Sequence, residues 1–292
     1  MESARCKAFL AAVETGSFSK AAEVLNYTPS GVSQLVTSLE NDLGFPLLRR
    51  NPKGVTLTEN GKQILPAVRD FLLQENRIFQ LAAEISGLLI GSITIASYSS
   101  ISTHWLPKVI KKFQDDYPQI QIKLMEGIRQ EVCKWLEEKV ADVAFLSYKD
   151  SMPYEWIPLA DDQMLAILPK THPLAKKSSY PLQNCKYERF IMPALGRDDD
   201  VISLFQENSL NPSIQFTTLE NFATMTMIEQ GLGMSIMNEL ITKKWQCNVV
   251  KLPLDPPQKI TLGIAISSLQ NASPVVKEFV KYATEILTSK TY

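Results

Sequence analysis

The stretch Gly16–Arg50 reads GSFSKAAEVLNYTPSGVSQLVTSLENDLGFPLLRR, and it predicts two short helices joined by a tight turn. Ala21, Ala22 and Leu25 recur at helical spacing, which gives the first helix one apolar face. Asn26 falls at the corner, where asparagine tolerates the left-handed backbone that a sharp turn between helices needs. The pattern is typical of a helix-turn-helix.

The second helix of this stretch has one apolar and one polar face. Thr28 is placed to cap it, and Pro29 falls in its first turn, where a missing N–H costs nothing. The face expected to be buried carries Val32, Leu35, Val36 and Leu39. The opposite face carries Ser30, Gly31, Ser33, Gln34, Thr37 and Ser38. This face either meets water, as in an ordinary helical hairpin, or enters a DNA major groove.

The residues that follow favour DNA. Two short strand-like pieces flank a basic tip, and cations at the tip of a hairpin can rest on phosphates beside the groove. The stretch therefore predicts a winged helix-turn-helix. The predicted DNA-binding residues are Thr28, Pro29, Ser30, Ser33, Gln34, Thr37, Arg49, Arg50 and Lys53.

Motifs along the whole chain resemble the LysR-type transcriptional regulators. They are the bend DLGFPLL, the sequence LTENG at the start of a long helix, Tyr117-Pro118, His172-Pro173-Leu174 and Gly231-Leu232-Gly233. The resemblance implies an N-terminal winged helix-turn-helix with a long linker helix, followed by a two-lobed α/β effector domain similar to periplasmic binding proteins. The chain departs from the family pattern where Thr28-Pro29-Ser30-Gly31 replaces the more usual Ser-Gln-Pro-Ala, and at Arg49, where an acidic residue is commoner.

A long helical pattern runs from Thr58 to Ser86 with a wide apolar surface that includes Phe71 and Ile78. It is either a core helix of a larger domain or a dimerisation helix, and the resemblance implies the second, with a homotetramer built from such dimers. Gly87 and Gly91 then loosen the chain. We therefore expect a DNA-binding domain at 1–58, a linker and dimerisation helix at 59–90 and an effector domain at 91–292.

Strands and helices alternate through the effector domain, which indicates a parallel sheet. We expect one lobe at about 91–162 and 268–292 and a second at about 163–267, with a small-molecule ligand between them, beyond the carboxyl ends of the strands. A serine-rich loop before a helix suits an anion, although its serines can equally cap the helix. The predicted effector residues are Ser99, Ser100, Ser102, Thr103, Ser147, Tyr148, Leu195, Arg197 and Asn221.

Net charge, apolar runs and the numbers of cysteines and histidines limit the kinds of protein that this chain can be. The 292 residues carry a net charge of −1, so a DNA-binding chain must concentrate its cations locally and gains from oligomerisation. No export signal or long apolar run is present, which predicts a cytoplasmic protein with no membrane partner. Four scattered cysteines and two histidines argue against a disulfide scaffold or a metal site.

Other classes of function are less consistent with the sequence. None of the common nucleophile, phosphate-loop, zinc-protease or dinucleotide motifs is present, so we expect neither catalytic residues nor a cofactor. A cytoplasmic ligand-binding protein or enzyme of periplasmic-binding-protein fold is the alternative, but it leaves the helix-turn-helix unexplained. We therefore predict a LysR-type regulator whose promoter binding is modulated by a small, anionic effector.

Overall fold

The computed structural model of the chain describes residues 2–51, 54–86, 88–150 and 152–289. The chain divides into two units, the first ending at Gly91 and the second beginning at Ser92. Within the described residues, no helix combines the length and apolarity needed to cross a bilayer.

The first unit contains the predicted helix-turn-helix. Its elements are α1 (Ser3–Thr15), α2 (Phe18–Leu25), α3 (Pro29–Leu43), β1 (Leu48–Asn51), β2 (Gly54–Leu57) and α4 (Glu59–Ile85). Phe9 and Leu39 are fully buried in its core. Asn26 ends α2 with a left-handed φ of 54°, and Thr28 Oγ1 accepts a hydrogen bond of 3.1 Å from the Gly31 N–H at the start of α3. The predicted turn and cap are both formed.

The sequence LTENG attaches the β1–β2 hairpin to α4. Thr58 Oγ1 donates to the Pro46 carbonyl oxygen at 2.8 Å and accepts from the Gly61 N–H at 2.9 Å. A Cβ at position 61 would collide with the Leu47 carbonyl oxygen, so the close approach of α4 to the hairpin requires glycine.

The second unit is the α/β domain. Its elements are β3 (Ser92–Ser97), α5 (Ser99–His104), α6 (Leu106–Asp116), β4 (Gln121–Glu126), α7 (Arg129–Glu137), β5 (Val143–Ser147), β6 (Glu155–Pro169), β7 (Tyr180–Pro181), a 3-10 helix (Leu182–Tyr187), β8 (Arg189–Met192), α8 (Pro193–Gly196), α9 (Asp199–Glu207), β9 (Ser213–Thr217), α10 (Asn221–Glu229), β10 (Ser235–Asn238), α11 (Glu239–Thr242), β11 (Val249–Asp255), β12 (Lys259–Ile266) and α12 (Pro274–Thr288).

Strand β6 belongs to both lobes. Its first part pairs with β12, which also pairs with β5 in the sheet β4-β3-β5-β12 of the first lobe. Its last part pairs with β10 and β11 in the second lobe. Strands β8 and β9 form a separate parallel pair. The predicted fold class, a winged helix-turn-helix and long helix followed by a two-lobed α/β domain, is confirmed.

The closing helix α12 packs in the first lobe. The rings of Phe113 on α6 and Phe279 on α12 meet edge to face at 5.2 Å between centroids, and the Phe145 ring on β5 lies 6.5 Å from that of Phe279. All three side chains are fully buried, so they anchor α12 to the sheet.

The structure differs from the sequence prediction at four places. Strand β12 lies in the first lobe, not in the second lobe ending at 267, because it pairs with β5. Ser99–His104 forms helix α5 instead of a loop. Strand β11 was not expected in a segment that contains Pro253. Ala194 and Leu195 adopt left-handed backbone angles within α8, a conformation that the sequence gives no reason to expect for these residue types.

Candidate functional site

Helix α3 presents a polar, accessible row of side chains opposite its buried face. Thr28, Pro29, Ser30, Gln34 and Thr37 are exposed, and Ser33 is half-buried. The α3 face opposite to this row is anchored by fully buried Val32, Val36 and Leu39. Amide and hydroxyl groups on an anchored helix are the groups that hydrogen-bond base edges in a major groove.

Arg50 of the hairpin lies directly on this row. Its Nη1 donates to Ser33 Oγ at 3.0 Å, and its Nη2 donates to Thr37 Oγ1 at 2.8 Å. The guanidinium carbon lies 5.1 Å from the centroid of the Phe18 ring, within cation–π range. The hairpin cation and the helix hydroxyls therefore form one continuous surface. From the sequence we expected two separate contacts, one from the helix to the groove and one from the hairpin to phosphates.

Arg49 and Lys53 are the other two cations predicted to contact DNA. Arg49 is exposed on β1. Lys53 lies outside the described residues, so its role stays a prediction.

The second unit contains a cavity of about 330 Å³ between its two lobes. It lies where β3 and β4 of the first lobe and β8 and β10 of the second reach their carboxyl ends, and where α7, α9 and α10 begin. Ligands of open α/β sheets bind at such strand ends. The cavity occupies the region in which the effector was expected.

A buried hydrogen-bond network joins the lobes beside the cavity. Ser147 Oγ, at the end of β5, donates to Asp200 Oδ1 of α9 at 2.7 Å. Arg129 Nη1 donates to the Ser147 carbonyl oxygen at 2.8 Å, to Ser147 Oγ at 3.1 Å and to the Tyr98 hydroxyl at 3.2 Å. The Arg129 guanidinium, the Tyr98 and Ser147 hydroxyls and the Asp200 carboxylate thus provide hydrogen-bond partners for one another where little water can reach them.

Three consecutive aspartates begin α9 beside this network. The Asp198 carboxylate caps the helix, accepting from the backbone N–H groups of Asp200 and Val201 at 3.2 and 3.1 Å. Burial, with the nearby Asp200 carboxylate, raises the pKa of Asp198 to about 6. Burial also raises the pKa of Asp200, although the Ser147 hydroxyl and the Arg129 charge oppose that rise. Burial therefore disfavours the ionised form of these two carboxylates at the N-terminus of α9.

Some of the predicted effector residues line the cavity. Ser99 and Ser100 do so from the start of α5, and Arg197 and Asn221 do so from the second lobe. Arg197 Nη1 contacts Gln130 Oε1 at 3.4 Å rather than the aspartates that follow it in sequence.

The remaining predicted residues lie elsewhere. Ser147 is fully buried in the interlobe network. Ser102 and Thr103 fall within α5, past its start, because the expected loop is helical: Ser102 is buried, and Thr103 is exposed. Tyr148 packs on the Trp156 ring at 5.6 Å, outside the cavity lining. Leu195 is exposed on the left-handed turn and is also absent from the lining.

Several lining or network residues were not predicted. Tyr98, Glu126, Arg129, Asp200 and Asn238 all lie at or just beyond strand ends or at helix starts. Ser99 was predicted because ligands bind beyond the carboxyl ends of the strands. The same rule applied to the ends of β4 and β10 could have identified Glu126, Arg129 and Asn238. The Ser147–Asp200 contact has no comparable signal, because it depends on how the two lobes close.

Among the described residues, no three His, Cys, Asp or Glu side chains form a cluster suited to a metal ion. The four cysteines are free thiols. Burial raises the pKa of the Cys185 thiol to about 12 and also raises that of Cys6, so neither favours the reactive thiolate.

Comparison with known proteins decides the family. Residues 4–62 match the family described as "Bacterial regulatory helix-turn-helix protein, lysR family", and residues 86–288 match the "LysR substrate binding domain". The chain belongs to the LysR family. It is a DNA-binding transcriptional regulator with an effector-binding domain, as the sequence predicted.

Individual relatives resemble this LysR-type regulator along its whole length or across its effector-binding domain. The HTH-type transcriptional regulator YvbU of Bacillus subtilis is 34% identical over 283 residues, which cover 96% of this chain and 97% of YvbU. Full-length OxyR C199D from Pseudomonas aeruginosa superposes with a TM-score of 0.76 at 20% identity, covering 99% of this chain and 95% of OxyR. The regulatory domain of Synechocystis CcmR, in complex with 2-PG, gives a TM-score of 0.62 at 20% identity over 68% of this chain and 99% of that domain. At these identities the two structures establish a shared fold.

Proposed function

We propose that this LysR-type regulator binds operator DNA through the exposed face of α3, with the hairpin cations on the flanking phosphates. Gln34 is exposed and can pair with an adenine edge through its amide, while the neighbouring hydroxyls can bond either kind of base. Arg50 and Arg49 supply the phosphate contacts. Lys53 has the same proposed role on the basis of its position in the sequence.

Helix α4 is proposed to form the dimer. Its C-terminal half leaves large apolar side chains exposed: Ile78 at 65%, Phe79 at 64% and Ile85 at 89%. Such a surface on one helix is suited to packing against a copy of itself. Two DNA-binding units in one dimer compensate for the modest positive charge of each, and pairs of dimers would give the tetramer that the sequence predicted.

The cavity between the lobes is proposed as the effector site, and the interlobe Ser147–Asp200 contact carries this proposal. A ligand beside that contact touches both lobes, so its binding free energy depends on how they are arranged. The arrangement of the lobes is then what links effector binding to DNA binding.

An acidic group on the effector has a proposed place in the cavity. Helix α7 begins there without a side-chain hydrogen bond from its N-cap residue Ile128 to its first turn, and its Glu131 carboxylate accepts from the Ile128 N–H at 3.0 Å. Free N–H groups at a helix start attract anions. Ser99 and Ser100 add hydroxyls on the same side as α7.

A catalytic role is the alternative, and we propose that the protein has none. Its family consists of transcriptional regulators, and a regulator is expected to release its effector unchanged. Steady turnover of a cavity ligand would contradict this proposal. Since the proposed partner is operator DNA, we place the protein in the cytoplasm.

DNA binding is tested with Gln34→Ala and fluorescence anisotropy on DNA flanking the protein's own coding region. The variant should lose about 1–3 kcal/mol of discrimination between this DNA and a scrambled fragment. Gln63→Ala, an exposed glutamine on α4 with no proposed base contact, is the control and should discriminate normally. Unchanged discrimination by the Gln34 variant would remove Gln34 from the base-contacting set.

A further inference from the structure

The interlobe cavity is richer in carboxylates than in cations. Its lining includes the carboxylates of Glu126, Glu131, Asp198, Asp199, Asp200 and Glu220 and the guanidiniums of Arg129 and Arg197. A purely anionic ligand would meet this excess of negative charge at close range. The charge balance therefore calls for a positive group on the ligand.

The two cavity cations are already engaged by the protein. Arg129 uses Nη1 for Tyr98 and Ser147, and its Nη2 lies 3.6 Å from Met152 Sδ. Arg197 Nη1 donates to Gln130 at 3.4 Å. A ligand anion would have to compete with these partners for the guanidinium N–H groups.

One aspartate of the α9 triplet has no donor for its carboxylate. Asp198 caps the helix and Asp200 accepts from Ser147, whereas Asp199 contributes only its backbone carbonyl oxygen, which accepts from Lys149 Nζ at 3.2 Å. Among the residues that the structure describes, nothing donates to the Asp199 carboxylate. It lines the cavity with its acceptor capacity unused.

Two neutral side chains independently indicate a ligand there. Ser100 lines the cavity and is only 8% exposed, yet no hydrogen bond to its hydroxyl is formed within the described chain. Asn221 Oδ1 is buried without a donor, and Asn221 also lines the cavity. A buried carbonyl oxygen needs an N–H or O–H partner, and the protein supplies none in the described ranges.

We propose that the effector is a zwitterion of the amino-acid type, whose protonated amine binds the Asp199 carboxylate and Asn221 Oδ1. Its acid group takes the place beside the Ser99 and Ser100 hydroxyls, because the Glu131 carboxylate already accepts from the Ile128 N–H at the start of α7. The inference rests on the proposed effector function of this cavity and specifies the chemistry of the ligand. The carboxylates of α9 then face a positive group in the complex, and the first-lobe hydroxyls face a negative one.

The test uses the full chain and three matched sets of compounds: the twenty protein amino acids, the 2-oxo acids that lack their amine, and the amines that lack their carboxylate. Thermal unfolding identifies the compound that raises Tm, and calorimetry measures its Kd. We expect an amino acid to raise Tm while its 2-oxo acid does not.

Asp199→Asn separates a zwitterion from a plain anion by the sign of its effect. It should weaken binding of the amino acid about tenfold or more, because it removes one charged hydrogen-bond partner of the amine. For an anion, the same change removes repulsion and should leave binding unchanged or tighter. Asp115→Asn, in an exposed pair with Lys111, is the matched control and should bind as wild type.

The outcomes distinguish the inference from the function on which it rests. If only 2-oxo acids or only amines raise Tm, or if Asp199→Asn binds the amino acid as tightly as wild type does, the zwitterion is overturned and the effector cavity stands. If no compound of any set raises Tm, the zwitterion is overturned, and the proposed effector function is then judged separately by the response of operator binding to small molecules of other chemistry.

Discussion

Ser147 Oγ lies 2.7 Å from Asp200 Oδ1, and this single contact joins the end of β5 in one lobe to the first turn of α9 in the other. Arg129 holds Ser147 from the opposite side through its carbonyl and hydroxyl oxygens. Because Ser147 and Arg129 are buried and Asp200 is half-buried, the contact favours one arrangement of the lobes.

Ser147→Ala is therefore expected to destabilise the effector domain. It leaves the buried Asp200 carboxylate without its hydroxyl donor, which costs about 1–3 kcal/mol in urea unfolding. Ser178→Ala, at an exposed serine of the second lobe, is the control and should change the unfolding free energy by less than about 0.5 kcal/mol. Equal unfolding midpoints for the two variants would show that the interlobe hydrogen bond contributes nothing.

Asp198 predicts a specific pH dependence. Its folded pKa is raised to about 6, whereas an unfolded aspartate titrates near about 3.9. Between these values the folded protein binds more protons than the unfolded chain, so stability falls as pH rises through this window. Asp199, Asp200, Arg129 and Lys149 are the charged groups around this site, and all four are unchanged in an Asp198→Asn variant.

The comparison is between wild type and Asp198→Asn, because asparagine still caps a helix but does not titrate. The unfolding free energy of the variant, measured relative to wild type, should rise as pH increases from about 4 to about 6. A difference between the two proteins that stays constant over this range would refute the raised pKa.

The hairpin arginines give a third prediction. Arg49→Ala and Arg50→Ala should each weaken binding to operator and scrambled DNA alike and flatten the salt dependence of log K by about one unit. Anisotropy titrations at several salt concentrations measure both effects. If Arg50→Ala instead abolishes discrimination while Arg49→Ala does not, then Arg50 acts through its bonds to Ser33 and Thr37 and belongs to the base-contacting surface.

Helix α4 gives a fourth prediction. Ile78→Glu should yield monomers in sedimentation, because a carboxylate would be buried without a partner in the proposed interface. Asn76→Glu, two residues away and on the opposite side of the helix, should remain dimeric. Phe71 is unsuitable for this test, since it packs against the core of the first unit and its replacement is expected to destabilise that unit as well. A dimeric Ile78 variant would place the interface elsewhere.

Local sequence signals were sufficient where an element is stabilised by its own residues. The cap at Thr28 and the left-handed Asn26 follow from residue type. Helix α5 was missed because a run of serine and threonine has weak helix propensity, which the packing of buried Ile101 overrides.

The candidate site was harder to predict because its parts meet only in the folded domain. Tyr98, Arg129, Ser147 and Asp200 are far apart in sequence, and no periodicity relates them. The sequence alone left open whether Arg197 meets an acidic ligand or is neutralised by the aspartates at 198–200. In the structure they face the cavity and the first lobe, and Arg197 contacts Gln130.

The coupling between the cavity and DNA is measured most directly by the anisotropy of a labelled operator fragment, titrated with and without the amino acid that raises Tm most. We predict that the ligand changes the operator Kd of the wild-type protein about fivefold or more, and that operator DNA changes the ligand Kd by the same factor. At a ligand concentration near the wild-type Kd, Asp199→Asn should show a much smaller change in operator Kd, because about tenfold weaker binding leaves most of the variant without ligand. An operator Kd that is the same with and without a ligand bound in the cavity would contradict the proposal that this cavity controls DNA binding.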